Sequence, residues 1–181
     1  MFLKIVNEGN LDIVDRIGFS PLHVAADRGQ PAASSLLLAH SSDVDEQTPK
    51  TKMTALHHAA MEGSVETVRT LISYGAALDA LDHLKNTALH FACQEGHLAC
   101  VLSLVQAGAS TIMANLSGVL PIHLASIWNR AAVVRVLVEH GSDKDEASNN
   151  DKAERIKLIL NFATRFKRTQ TIIDMQHLYK K

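Results

Sequence analysis

Thr87-Ala88-Leu89-His90-Phe91-Ala92, followed by Gly96 and then by Leu104, Gly108 and Ala109, is one of four copies of a phrase. The others stand at Ser20-Pro21-Leu22-His23, Thr54-Ala55-Leu56-His57 and Leu120-Pro121-Ile122-His123, and the four histidines are spaced 34, 33 and 33 residues apart. A fixed period of this length marks a chain made by stacking one supersecondary unit. Local signals define the unit. Ser20, Thr54 and Thr87 are placed to cap a short inner helix, and Pro21 sits at the first helical position, where its missing N–H costs nothing. Gly63 and Gly96 close that helix. In the second copy Val65, Val68, Leu71 and Ile72 recur at helical spacing and line an outer helix, while in the first copy Leu36-Leu37-Leu38 is expected to form the outer helix's apolar stripe.

This phrase at this period resembles the signature of ankyrin repeats, and four copies in register span most of the chain. The resemblance implies an all-α fold: an ankyrin-repeat solenoid of helix-turn-helix units joined by β-hairpin-like fingers, with a helical C-terminal cap. Residues 1–14 read as a truncated lead-in half repeat, either a minimal cap or the start of a fragment. Repeats follow at 15–48, 49–81, 82–114 and 115–147. The first has one extra residue leading into the turn near Pro49-Lys50-Thr51-Lys52. The fourth drifts: Leu120 replaces the capping hydroxyl, a loss worth roughly 1 kcal/mol, and Asn129 replaces the glycine, a milder change because Asn tolerates a left-handed backbone. Residues 148–181 carry no further copy. Asp151-Lys152-Ala153-Glu154 makes a capping box, and Ile156, Ile159, Leu160, Ala163 and Phe166 predict a helix over 151–167, with a second over 171–179.

Composition agrees with a solenoid. Hydrophobic residues make up 46 % of the 181 residues and aromatics 4 %, so the core is built from small and aliphatic side chains that let helices lie close together. The net charge of −1 gives no reason to expect nucleic acid as a partner. Charge is uneven, however: residues 152–181 hold eight Lys/Arg against two acids. A solvated face of a capping helix explains that, with weak contact to an anionic surface as the alternative. Met1 to Asn10 lacks the apolar centre of a signal peptide, and no run reaches the ~18 apolar residues of a membrane span. Cys93 and Cys100 fall at inward-facing positions of one repeat and read as reduced, buried thiols. A cytoplasmic setting, and by extension a nuclear one, follows.

Ten histidines raise the question of metal or acid–base chemistry. Zinc ligands converge at short spacings such as Cys-x2-Cys, whereas His23, His57, His90 and His123 recur one per repeat. The resemblance implies a structural role, in which the ring bonds neighbouring backbone and the Thr hydroxyl. His57 and His58 point about 100° apart on a helix and do not chelate one ion. His90 and Cys93 share a helix face, but no orienting third group or oxyanion phrase accompanies them. No metal, cofactor or catalytic residue is expected, and the chain is read as a non-enzyme.

Function is sought where the repeats disagree. The resemblance implies that fingertips and the exposed side of the inner helices form a concave protein-binding face. Mapped onto this chain, that face holds Arg16, Ile17, Phe19, Asp27 and Arg28; then Lys50, Thr51, Met53, Met61 and Glu62; then His83, Leu84, Asn86, Gln94 and Glu95; and last Leu116, Ser117, Val119, Ile127 and Trp128. Nine of these twenty are large and apolar, which marks an interface unless the chain's own C-terminal segment, or repeats beyond this sequence, cover Ile127 and Trp128. The expectation is a monomeric, non-catalytic scaffold or adaptor that binds another protein. The alternative is a regulatory or targeting segment of a larger enzyme, channel or effector.

Overall fold

The computed structural model describes residues 18–40 and 42–140. Within them the chain forms eight α-helices and no strand. They pair as α1 (Pro21–Asp27) with α2 (Pro31–Ala39), α3 (Ala55–Glu62) with α4 (Val65–Ser73), α5 (Ala88–Glu95) with α6 (Leu98–Ala107), and α7 (Pro121–Ile127) with α8 (Ala131–His140). The inner helices α1, α3, α5 and α7 stack side by side, and the outer helices α2, α4, α6 and α8 form a second layer against them. Among the described residues each repeat therefore packs chiefly on its neighbours.

Small residues make the inner row possible. Ala25 and Ala26, Ala59 and Ala60, Ala92 and Cys93, and Ala125 and Ser126 are all fully buried, so adjacent backbones approach closely. Leu22, Leu56 and Leu89 from the inner helices meet Leu37, Leu71, Leu104 and Leu137 from the outer ones, each fully buried leucine contributing ~1.5–3 kcal/mol relative to an exposed one. Of the Leu36-Leu37-Leu38 run only Leu37 and Leu38 go inside, and Leu36 remains 39 % exposed. Consecutive helical residues lie 100° apart, so three in a row do not share one face.

Helix ends follow the caps. Thr54 and Thr87 take extended backbone before α3 and α5, and Gly63 and Gly96 close these helices at φ 79° and 87°. Asn129 adopts φ 57° at the corresponding place after α7. Between repeats the chain makes tight fingers held by backbone bonds: Thr48 N–H to the Met53 carbonyl, Asp82 N–H to that of Asn86, and Asn115 N–H to that of Val119, each 2.9–3.0 Å. The first of these has one residue more than the others, which accounts for the 34-residue spacing. The bonds are hairpin-like but too few to form a ladder. The lead-in at 1–14, Arg16, Ile17 and the C-terminal cap at 148–181 lie outside the described residues.

Candidate protein-binding site

A histidine braces each finger against its helix. Thr54 N–H donates to His57 Nδ1 at 3.0 Å and the Thr54 hydroxyl to the same atom at 2.9 Å. Because Nδ1 accepts, the ring proton sits on Nε2, which donates to the Asn86 carbonyl in the next finger at 3.1 Å. His90 repeats this between Thr87 and the Val119 carbonyl. His23 does so between Ser20 and the carbonyls of Glu46 and Met53. In the fourth repeat Leu120 offers His123 only its N–H, at 3.2 Å. Burial holds the imidazoles of His57, His90 and His123 below their ordinary value near 6.5, so they are neutral struts at pH 7.

The same bonding excludes a Cys–His nucleophile. Both nitrogens of His90 are occupied by structural partners, and Cys93 is fully buried. Burial pushes the Cys93 thiol far up and the Cys100 thiol to about 11, so neither supplies thiolate near neutrality. Among the described residues no group of three His, Cys, Asp or Glu side chains is placed to hold a metal ion.

Polar side chains shape the fingers. Asp82 is 6 % exposed and its carboxylate accepts the N–H groups of Leu84 and Asn86 and the Asn86 amide. Asn115 repeats the turn, accepting N–H from Ser117 and Val119, and its amide donates across to Asn86 Oδ1 at 2.9 Å. Adjacent tips are joined by His83 N–H to the Thr51 carbonyl and Leu116 N–H to the Leu84 carbonyl, both 2.9 Å. The fingers thus form a row coupled by backbone.

Against this row the expected partner-binding residues divide. Arg28, Glu62, His83, Leu84, Leu116 and Trp128 are exposed, and Phe19, Met61, Asn86, Gln94, Glu95, Val119 and Ile127 partly so. Met53 does not belong on the face: its side chain is 9 % exposed, and its N–H and carbonyl are bound by Thr48 and His23. Asn86 and Val119 hold the same position and the same histidine bond yet remain partly exposed, so the burial of Met53 belongs to the longer second finger and does not recur with the period. Asn86 and Val119 also serve the scaffold through their carbonyls. Phe19 packs edge-on against His58, ring centroids 4.8 Å apart.

His58 is the departure that sequence spacing passed over. Its equivalents are Val24, Phe91 and Leu124, yet it is 3 % exposed and bonds Asp27 through Nδ1 at 3.3 Å, leaving Nε2 buried without a partner. Burial and then the charge of His23 lower its pKa, against the pull of Asp27, so Nε2 keeps an unprotonated lone pair. Lys52 and Lys85 were missed too. They hold φ 56° and 61°, where Gly18 and Gly118 stand in the first and fourth fingers; aligning the tips by position would have found them.

Stacked helix pairs with braced fingers and exposed tips define a helical solenoid of the protein-binding class. The family comparison names it: the model for ankyrin repeats (3 copies) matches residues 1–82 and again 75–148, and the chain belongs to the ankyrin-repeat family. Repeats of this family are in general non-catalytic modules that bind other proteins. The chain is 30 % identical over 154 residues to the Caenorhabditis elegans transient receptor potential cation channel subfamily A member 1 homolog, covering 83 % of this chain and 10 % of that protein. It is 34 % identical over 68 residues to alpha-latrotoxin-Lh1a of Latrodectus hasselti, covering 38 % of this chain and 5 % of the toxin. The delta-latroinsectotoxin-Lt1a of Latrodectus tredecimguttatus matches at 43 % over 42 residues, 23 % of this chain and 4 % of the toxin. The chain therefore spans a tenth or less of the length of these curated relatives. No helix among the described residues is long and apolar enough to cross a membrane.

Proposed function

We propose that the chain is a recognition scaffold whose protein partner lies along the fingertips and inner-helix ends, with its apolar anchors toward the fourth repeat. One observation carries this reading: Leu84, Leu116 and Trp128 are 47 %, 59 % and 51 % exposed, and all three stand at the variable positions of the finger and inner-helix row. Large apolar side chains grouped on one face gain free energy when a partner covers them, and aromatic residues dominate interface hot spots. The helix pairs hold that surface ready-made, so little ordering cost is added on binding. The two free, buried thiols suit a cytosolic or nuclear setting. Trp128→Ala should weaken a captured partner at least ~10-fold while the melting temperature changes little. Unchanged affinity with a sharply lower melting temperature would mean the indole is instead part of the fold.

A second reading is that this is the regulatory or targeting segment of a larger protein, such as a channel. The match across 83 % of this chain to a small part of a much longer channel homologue favours it. An immunoblot of native tissue checks this directly. A band far above 19.7 kDa supports the segment reading, and one near that mass removes it.

A further inference from the structure

We propose that the tips of fingers two to four recognise a peptide segment combining carboxylate with large apolar side chains; this deepens the recognition reading above and rests on it. The first observation is backbone strain that carries charge. Lys52 and Lys85 sit in the left-handed region at φ 56° and 61°, although the same finger position is Gly18 at φ 92° and Gly118 at φ 71°. Glycine takes that conformation without penalty, whereas a lysine there opposes its own Cβ. A strained residue that a simpler one would relieve points to a use for its side chain. Both lysines are exposed, as is Lys50 on the second finger.

The second observation is the charge balance of the tips. Residues 49–52, 83–85 and 116–118 contain three exposed lysines and no acid. The carboxylate nearest Lys85 in sequence, Asp82, is buried and occupied by the N–H groups of its own turn, and the one nearest Lys50 and Lys52, Glu46, lies before the tip. Among the described residues the ion pair found is His58–Asp27, which involves none of the three lysines. The lysines are therefore not neutralised by a tip carboxylate of this chain. Between and beside them stand Leu84 and Leu116, brought onto neighbouring tips by the bond from Leu116 N–H to the Leu84 carbonyl. Cations on the second and third tips beside an apolar pair on the third and fourth complement a partner with acids next to leucine, isoleucine or an aromatic residue. A phosphate-rich partner would have no use for the exposed leucines.

The test selects a random peptide library displayed on phage against the immobilised chain, and then titrates the enriched peptides, fluorescein-labelled, by anisotropy. Wild type should enrich sequences joining Asp/Glu to Leu, Ile, Phe or Trp, with affinity falling as salt rises. The double variant Lys52→Gly/Lys85→Gly should melt higher than wild type yet bind those peptides roughly tenfold more weakly. Leu84→Ser/Leu116→Ser should lose binding with its melting temperature kept. Enriched peptides without acids, or peptides indifferent to the glycine pair, overturn this chemistry and leave the recognition reading standing. Retention on phosphatidylserine vesicles that the glycine pair abolishes, with peptide binding unaffected, overturns it in favour of a membrane surface. No enrichment above a blank surface counts against both readings.

Discussion

The imidazole of His57 is bound on both edges, by Thr54 and by the Asn86 carbonyl of the next finger. Its Nδ1 must accept and its Nε2 must donate, so a second proton would set a donor against the Thr54 N–H. Burial adds the cost of holding charge away from water. The folded-state pKa values of His57, His58, His90 and His123 are all lowered from 6.5. A depressed value means that the unfolded chain binds protons first. The stability these groups contribute is complete above pH ~6.5 and is lost progressively as pH falls below it toward the folded values. Thermal melts should therefore be level between pH ~8 and ~7 and drop from ~6.5 downward. A melting temperature flat down to pH ~5 would contradict the strut assignment.

Helix ends make the next set of predictions. Leu120 begins α7 without the hydroxyl that Thr54 and Thr87 supply to their histidines. Leu120→Thr should restore it and raise stability by about 1 kcal/mol, read by chemical denaturation. After α3, a Cβ on Gly63 would lie 2.5 Å from His97 Nδ1. The ring does not yield freely, because its Nε2 donates to the Met61 carbonyl at 3.0 Å. With φ at +79° the backbone also disfavours any side chain there. Gly63→Ala should cost roughly 2–4 kcal/mol. Gly75→Ala is the control: φ is +84° but the space is open, so only the backbone penalty of ~1–2 kcal/mol remains. Equal losses at both sites would show that crowding by His97 plays no part.

Across the whole molecule, stability is a sum of repeats and of the interfaces between neighbours. Leu89 lies in the third repeat, with α3 on one side and α7 on the other, whereas Val134 belongs to the fourth. Leu89→Ala should remove ~2–5 kcal/mol and speed amide exchange through the second, third and fourth repeats. Val134→Ala should speed it in α7 and α8 and leave α1 to α3 near wild type. Peptide-resolved hydrogen exchange by mass spectrometry separates these patterns, and uniform acceleration by both variants would mean that the array opens as one unit.

The helix pairs, their limits and their order were legible in the chain because each follows from local chemistry: a capping hydroxyl, a proline at the first position, a glycine at the end, leucines at helical spacing. The inward aim of Ala59, Ala60 and Cys93 was legible too, since their position recurs with the period. Contacts about one repeat apart were not. Nothing in the order of residues says that the His57 ring reaches the carbonyl of Asn86, that Asp82 is buried by its own turn, or that Met53 faces inward between Thr48 and His23. Nor does it say that Leu84 and Leu116 meet at adjacent tips. Local propensity acts over three or four residues. Burial and the pairing of distant backbone groups arise only once the repeats stack, because each repeat supplies the partners that its neighbour lacks.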